Sequence, residues 1–312
     1  MKCTRCKARA VVEVPRANAA FCGDCFTESY VRNLVSRAIR HDRMFGHADR
    51  VLVAVSGGKD SLALWDLLLD LGYQADGLYL GLGIGGYSSR SQEVCQAFAD
   101  ERGAKLLVVD VAEKAGYTIP QAAATKKRPA CAVCGLSKRH LFNDTAREHG
   151  YDVVVTGHNL DDEVAVLLGN VLRWETEFLA RQSPVLESTH PSLVKKVKPL
   201  YRVAERETAA YCVLKGIDYV VEECPLVEGN TQMKYKGLLD ALEAQSPGTK
   251  HNFLFGFLEK GRDHFPRDGH ELHACSECGS ATPGETCAFC RTKSLMALTI
   301  GRRPDEPGSD AR

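Results

Sequence analysis

The middle of the chain alternates short apolar runs with segments that carry a helical pattern of apolar residues. The first apolar run, VLVAV at 51–55, leads directly into the helix-like segment SLALWDLLLDLG. Apolar runs bounded by helices are typical of a parallel sheet that is covered on both faces. We therefore predict an α/β fold with a doubly wound, mainly parallel sheet, in which ligands bind at the carboxyl ends of the strands.

The predicted elements define a central domain with a smaller module at each end. Strands are predicted at 51–55, 75–83, 104–111, 151–158 and 217–223. Helices are predicted at 61–72, 88–103, 135–150, 161–173, 202–216, 233–244 and 251–262. The predicted domain limits are 1–30, 31–265 and 270–300, and the Pro-, Gly- and charge-rich tail at 301–312 is predicted to be disordered.

The segment SGGKDS joins the first strand to the first helix and predicts a phosphate-binding loop. Its glycines let the backbone turn tightly, and the N–H groups at the start of the helix favour an anion. The segment lacks the spacing of the common nucleoside-triphosphate loop. It matches the Ser-Gly-Gly-x-Asp-Ser signature of the PP-loop ATP pyrophosphatases, which cut ATP between the α and β phosphates. The candidate ATP ligands are Ser56, Gly57, Gly58, Lys59, Asp60 and Ser61.

A second polar loop, TGHNLDDE at 156–163, follows the fourth predicted strand. Gly157 and the carboxylates of Asp161 and Asp162 are placed to meet ATP and Mg²⁺ at the same edge of the sheet as the first loop. Acidic residues in the first turn of a helix also stabilise that end of the helix, and both interpretations can hold together.

Thirteen cysteines are many for a cytosolic protein, and eight of them form two sets of paired Cys-x-x-Cys motifs. The N-terminal set is Cys3, Cys6, Cys22 and Cys25, and the C-terminal set is Cys275, Cys278, Cys287 and Cys290. Four thiolates in two pairs match the tetrahedral preference of structural zinc, and neither short segment has enough apolar residues to fold alone. The sequence therefore predicts two Zn²⁺ sites, with a redox-active dithiol as the alternative.

Five cysteines lie outside these sets, and three of them are candidates for a reactive centre. Cys131 and Cys134 form an isolated pair in RPACAVCGLSKRH, and Cys224 follows the last predicted strand. Convergence of three thiolates at the sheet edge, without a fourth, predicts a [4Fe–4S] cluster with one open iron position. A persulfide or disulfide relay and an incomplete third zinc site are the alternatives. Cys95 and Cys212 are predicted to be core residues.

The chain resembles the TtuA/TtcA family of tRNA 2-thiolation enzymes over nearly its whole length. The matching segments are SGGKDSLALW, GIGGYSSRS, CAVCGLSKR, GHNLDDE and EECP, together with the two terminal four-cysteine sets. The terminal modules favour the branch of the family that thiolates uridine, because the branch that thiolates cytidine lacks them. GIGGYSSRS and CGLSKR resemble the bacterial TtuA type, which thiolates the T-loop 5-methyluridine. Some proteins of that type have His as the last N-terminal zinc ligand, where this chain has Cys25.

The resemblance implies an ATP-dependent tRNA uridine 2-sulfurtransferase, with wobble-uridine thiolation as the alternative. It implies that Cys131, Cys134 and Cys224 hold the [4Fe–4S] cluster. It also implies a homodimer, and a ubiquitin-like carrier with a C-terminal thiocarboxylate as the sulfur donor, with sulfide as the alternative donor. We expect the uridine O2 to attack the α-phosphorus of ATP, and hydrosulfide held on the open iron to replace AMP at C2.

Four residues are assigned to the chemistry of that expected reaction. Lys138 and Asp161 are the candidates for polarising or deprotonating the base. Asp60 and Asp162 are the candidates for positioning Mg²⁺.

Composition limits the remaining possibilities. The formal net charge is zero, and 44% of the residues are hydrophobic, which is typical of a globular enzyme and not of a disordered chain. No apolar run reaches the roughly 18 residues of a transmembrane helix, and the N-terminus lacks an apolar signal region, so we expect a cytoplasmic protein. An amidotransferase-type synthetase with a PP-loop and a non-enzymatic RNA-binding scaffold are the rival classes.

Three basic clusters are candidates for contacts with the tRNA phosphates. Taken alone, each cluster is equally well explained as solvated surface charge. The clusters are Arg32, Arg37, Arg40 and Arg43; Lys126, Lys127, Arg128, Lys138 and Arg139; and Lys195, Lys196, Lys198 and Arg202.

Overall fold

The computed structural model describes residues 1–226, 231–265 and 271–300. At the N-terminus, β1 (Val12–Val14) and β2 (Ala19–Phe21) pair antiparallel around a short 3₁₀ turn. A π-helical turn at Cys25–Val31 then continues without a break into α1 (Arg32–His41). Phe26 in the π-helical turn and Val35 in α1 are both buried in the larger hydrophobic core. The N-terminal module is therefore packed onto the central domain.

Six strands form the central sheet, in the order β5-β4-β3-β6-β8-β7. All neighbouring strands are parallel except β7, which pairs antiparallel with β8 at the edge. The prediction of a mainly parallel sheet is confirmed. The strands are β3 (Val51–Val55), β4 (Ala75–Gly81), β5 (Leu106–Asp110), β6 (Val153–Thr156), β7 (Val185–Leu186) and β8 (Lys195–Val197).

Helices cover both faces of this sheet, as expected for a doubly wound fold. Val51, Val53 and Val55 of β3 point into one core, whereas Leu52 points into the other. The helices from the first loop onward are α2 (Lys59–Asp70), α3 (Gly85–Arg102), α4 (Val111–Ala115), α5 (Ile119–Ala124), α6 (Ala130–Glu148), α7 (Leu160–Leu172), α8 (Thr176–Arg181), α9 (Glu205–Lys215), α10 (Thr231–Gln245) and α11 (Thr249–Gly256).

One predicted strand was wrong. Residues 217–223 form no strand and lie outside the sheet, and Val221 is largely exposed. The position next to β6 is occupied instead by β8, which is short and begins with two lysines, so its sequence lacks an apolar strand pattern. The segment at 217–223 contacts the first loop, where the Val220 N–H donates to the Gly57 carbonyl at 2.8 Å.

The C-terminal module consists of β9 (His273–Ala274), β10 (Ala281–Thr282) and α12 (Ala288–Ile300). It packs against α6, where the Phe289 ring stacks on the His140 ring with centroids 3.9 Å apart and planes 10° apart. The predicted disordered tail at 301–312 lies outside the described residues. Among the helices that the structure describes, none is both long and apolar enough to cross a membrane.

Candidate active site

The loop between β3 and α2 has the geometry of an anion cradle. The Ser61 hydroxyl accepts a hydrogen bond from the Ser56 N–H at 3.1 Å and donates to the Gly58 carbonyl at 2.9 Å, which closes the turn. Gly57 has φ +77°, and a Cβ there would lie 2.9 Å from the Ser91 carbonyl oxygen, so only glycine fits. The first N–H groups of α2 have no acceptor within the helix and favour an anion at this point.

A cavity of about 320 Å³ opens beside this loop and brings together five of the predicted site residues. Its apolar wall includes side chains from the ends of β4 and α5. The predicted residues that line it are Ser56, Cys131, Cys134, Lys138 and Cys224. The structure therefore joins the phosphate loop and the three isolated cysteines in one space.

The three cysteines reach this cavity from two separate parts of the chain. Cys131 and Cys134 are three residues apart on the first turns of α6, and Lys138 follows four residues later, so all three lie along one side of the helix. Cys224 arrives on the segment whose Val220 N–H donates to the Gly57 carbonyl. The error in the predicted strand therefore leaves the expected convergence at the sheet edge intact.

The three thiols surround a space instead of converging on a point. Among the described residues, only the two terminal four-cysteine sets have all their ligand atoms within 4.8 Å of one another. Burial raises the pKa of Cys134, and the neighbouring Lys138 ammonium partly opposes that increase. This arrangement suits a polynuclear group that touches all three sulfurs better than it suits a single ion.

Lys59 and Asp60 face away from the cysteine cavity. Lys59 Nζ donates to the Asp60 carboxylate at 3.0 Å and to the Glu205 carboxylate at 2.8 Å. Asp60 also accepts from Asn159 at 3.1 Å and from Thr208, and burial raises its pKa. Lys59 lines a second, larger cavity between the N-terminal module, α9 and α10.

The carboxylates of the second loop are also held by other side chains. Asp161 is buried against the Lys250 ammonium and accepts the Glu205 N–H at 2.6 Å. Asp162 pairs with Lys236 at 2.6 Å. The structure thus places Asp161 in the second cavity and brings it together with Lys59, not with Lys138. Its predicted role on the base stays a prediction.

Two positions that the sequence did not mark hold this region together. Glu205 at the start of α9 accepts hydrogen bonds from both Lys59 and Lys236, each at 2.8 Å. Although burial alone would raise the pKa of Glu205, these two lysines lower it to about 2. No local motif identifies Glu205 or Lys236, because their partners lie far away in the sequence.

Each terminal four-cysteine set could hold a metal ion. The four sulfurs of each set lie within 4.8 Å of one another. In the C-terminal set the Cys287 N–H donates to the Cys275 sulfur at 3.2 Å. Backbone N–H groups, that of Cys6 above all, lower the pKa of Cys3 to about 6, which favours a thiolate ligand. Both geometries agree with the predicted zinc sites.

Comparison with known proteins agrees with the fold and the phosphate loop. The family model of the PP-loop domain matches residues 29–236, and that of the N-terminal LIM domain of the 2-thiouridine synthetase TtuA matches residues 2–27. Fold and loop together define a PP-loop protein. The chain belongs to the TtuA family of tRNA 2-sulfurtransferases. Membership of this family makes the chain a 2-sulfurtransferase, which excludes both the amidotransferase-type synthetase and the non-enzymatic scaffold.

Relatives match almost the whole chain. The tRNA-5-methyluridine(54) 2-sulfurtransferase of Thermus thermophilus is 51% identical, over 93% of this chain and 90% of its own length. The protein of the same name from Pyrococcus horikoshii is 41% identical, over 98% of this chain and 99% of its own length. The structure of the U34-tRNA thiolase NcsA from Methanococcus maripaludis, solved with its [4Fe–4S] cluster, superposes with a TM-score of 0.82 at 23% identity, over 95% of this chain and 96% of that one.

Proposed function

We propose that this protein uses ATP to replace the 2-oxygen of a tRNA uridine by sulfur, at the 5-methyluridine of the T-loop. One observation carries the proposal: Ser56 at the start of the phosphate loop and three cysteines outside the terminal sets line the same cavity. The position in tRNA is supported by the two relatives at 51% and 41% identity, whose names specify 5-methyluridine 54. The thiolase of wobble uridine is a more distant neighbour, at 23% identity.

The first half of the proposed reaction uses the anion cradle. The α-phosphate of ATP would lie at the start of α2, and attack by the uridine O2 on its phosphorus would release pyrophosphate. The carbon at position 2 then carries AMP as a leaving group. Lys138 is the cationic side chain of the cysteine cavity, so we assign it the polarisation of the base. Asp60 and Asp162 stay the proposed positions for Mg²⁺.

The second half requires sulfur at the same carbon. Cys131, Cys134 and Cys224 fit a [4Fe–4S] cluster, because they supply three thiols around a space and leave its fourth iron without a protein ligand. When bound, such a cluster supplies an iron position that can hold sulfide. The cavity walls would exclude water from the activated carbon, since its lining is mainly apolar.

The remaining parts of the proposal follow from the family resemblance. We assign Zn²⁺ to both four-cysteine sets, whose ligand atoms have the required closeness. A thiocarboxylate carrier protein as sulfur donor, a homodimer and a cytoplasmic location stay predictions.

Anaerobic reconstitution tests the proposal. The iron-loaded protein, incubated with ATP, sulfide and tRNA that lacks the modification, should yield 2-thiolated 5-methyluridine by nucleoside mass spectrometry, with one AMP and one pyrophosphate per sulfur. Release of AMP without any thiolated nucleoside would overturn the function.

Replacing single cysteines separates the cluster from a persulfide relay. Cys224→Ser should abolish iron binding and thiolation together, because two thiols do not hold the cluster. Cys212→Ser is the matched control, since Cys212 is buried in α9 away from the cavity and should leave iron content unchanged. Thiolation by an iron-free protein would favour the relay and contradict the cluster.

A further inference from the structure

We infer that Arg139, Lys196 and Lys293 form a docking surface for the phosphate backbone of tRNA. We call this surface the basic face. It combines one residue each from α6, β8 and the C-terminal helix α12. The inference rests on the proposed function, because the basic face would bind tRNA, the substrate of that reaction.

The fold places Lys196 on the same side of the sheet as α6. In the parallel pairing of β6 and β8, Lys196 lies opposite Val154, and paired residues point to the same face. Val154 packs in the hydrophobic core that contains Leu141 of α6. Asn143 of α6 also fastens the loop before β8, since its side chain donates to the Ser192 carbonyl at 2.7 Å.

Lys196 differs from the two other lysines of its sequence cluster. Lys195 pairs with Glu187 at 3.0 Å, and Lys198 with Glu163 at 2.8 Å. Neither Lys196 nor Arg139 has an acidic partner in the part of the chain that the structure describes. Burial lowers the pKa of Lys196, and the Arg139 guanidinium lowers it further. A half-buried ammonium beside another cation is unfavourable until an anion joins them.

The C-terminal module adds a third cation, Lys293, near Lys196 and Arg139. His140 lies at the stack with Phe289. Burial lowers the pKa of His140, and the Lys196, Arg147 and Lys293 cations act in the same direction, whereas Asp144 opposes them. Arg147 pairs with Asp144 at 3.0 Å, and Lys293 Nζ donates to the Lys114 carbonyl at 3.3 Å. Among the described residues, Lys196 and Lys293 are therefore the cations around His140 without a carboxylate partner.

The location of the basic face favours a nucleic acid. Arg139 directly follows Lys138, which lines the cysteine cavity, so a phosphate chain on the basic face would lie close to that cavity. Phosphates recur at short intervals along RNA and can contact several separate cations at once. The basic clusters at 126–139 and 195–202 are distant in sequence, and each contributes a cation only because α6 packs beside β8.

Binding of tRNA to matched double variants tests the inference. Arg139→Ala/Lys196→Ala should weaken tRNA binding roughly tenfold and reduce the slope of log affinity against log salt by about two, one for each lost phosphate contact. The control Lys105→Ala/Lys260→Ala removes the same charge from exposed positions outside the three basic clusters and should change affinity less than about twofold. Fluorescence anisotropy over a series of KCl concentrations measures both quantities.

Kinetics and a conservative variant complete the test. The double variant should raise KM for tRNA about tenfold and leave kcat within about twofold, since the lost contacts are to tRNA phosphates and not to the reacting carbon. Lys196→Arg should bind tRNA like the unaltered protein, and circular dichroism checks that all variants are folded.

Three results would overturn the inference. Equal losses of tRNA affinity in the two double variants would mean that the total charge matters and not the basic face. Unchanged tRNA binding in both variants would mean that tRNA docks elsewhere. Normal tRNA binding with a raised requirement for an acidic carrier protein would assign the basic face to that protein instead. In all three cases the unaltered protein would still thiolate tRNA, whereas failure of the proposed function would show as no thiolation by the unaltered protein.

Discussion

Gly157 shows how closely the two loops of the site approach each other. A Cβ at this position would lie 2.9 Å from the Ser61 nitrogen and 3.0 Å from the Asp60 carbonyl carbon. Both atoms belong to the backbone at the start of α2, so they cannot move aside as the end of a flexible side chain would. The loop after β6 therefore supports the phosphate loop directly, and any side chain here would separate the two.

Gly157→Ala is expected to lower the free energy of unfolding by about 1–3 kcal/mol, as overpacking does, and to weaken ATP binding. Gly237→Ala is the control, because a Cβ there meets nothing within 4 Å and alanine favours the interior of α10. Urea unfolding and calorimetric titration with a non-hydrolysable ATP analogue measure the two effects. If the Gly157 variant behaves like the control, the two loops do not depend on this contact.

At the scale of elements, charged side chains tie three helices to the phosphate loop. Lys59 of α2 and Lys236 of α10 both pair with Glu205 of α9 at 2.8 Å. Lys236 also pairs with Asp162 of α7 at 2.6 Å. This chain of ion pairs fixes the orientation of Lys59 away from the cysteine cavity.

Glu205→Gln should therefore make the stability of the protein less dependent on pH in the acid range. The pKa of Glu205 is about 2 in the folded protein against an ordinary 4.5, so its ionised form stabilises the fold above pH 4.5, and this stabilisation is lost as the pH falls towards 2. Because the side chain is 37% exposed, solvent screening leaves an effect of about 1 kcal/mol at neutral pH.

Urea unfolding at several pH values between neutral and acid checks this prediction. The difference in the free energy of unfolding between Glu205→Gln and the unaltered protein should become smaller below pH 4.5. Glu148→Gln is the control, since Glu148 is exposed and meets Lys114 at 3.5 Å, an ion pair of little expected value. If the difference in unfolding free energy stays constant down to acid pH, the role given to Glu205 is contradicted.

At the scale of the whole molecule, the two terminal modules contact different parts of the central domain. The N-terminal module shares the core that contains α2, whereas the cysteines of the C-terminal module are buried in the core that contains α6. Since α6 carries Cys131 and Cys134, the C-terminal module supports the helix that forms one side of the cavity.

Cys287→Ser should reduce the zinc content by about one ion per chain, because a structural site needs all four ligands. Loss of that ion is expected to loosen the stack of Phe289 on His140 and to lower iron loading on α6. Cys6→Ser removes the equivalent ion from the other module and should leave iron loading nearer to normal. Metal analysis of both purified proteins measures this, and equal iron contents would show that α6 is rigid without the module.

The sequence predicted most of the sheet and missed its edge for a definable reason. The predicted strands at 51–55, 104–111 and 151–158 each contain an unbroken apolar run, VLVAV, LLVV and VVV respectively, so their pattern is local and strong. β7 and β8 have two and three residues, and β8 begins with lysines, so no periodic pattern marks them. Conversely, the apolar residues at 217–223 contact the phosphate loop and do not pair with a strand.

The sequence by itself determined the fold class, the phosphate loop and the two four-cysteine sets. Each of these depends on residues that are close together in the chain, where spacing and periodicity carry the information. Tertiary structure decided by which route Cys224 reaches Cys131 and Cys134, that Asp161 faces Lys250 instead of Lys138, and that two distant basic clusters meet on α6 and β8. The direction of a side chain and the partner of a charge depend on packing between remote segments, which a single sequence does not record.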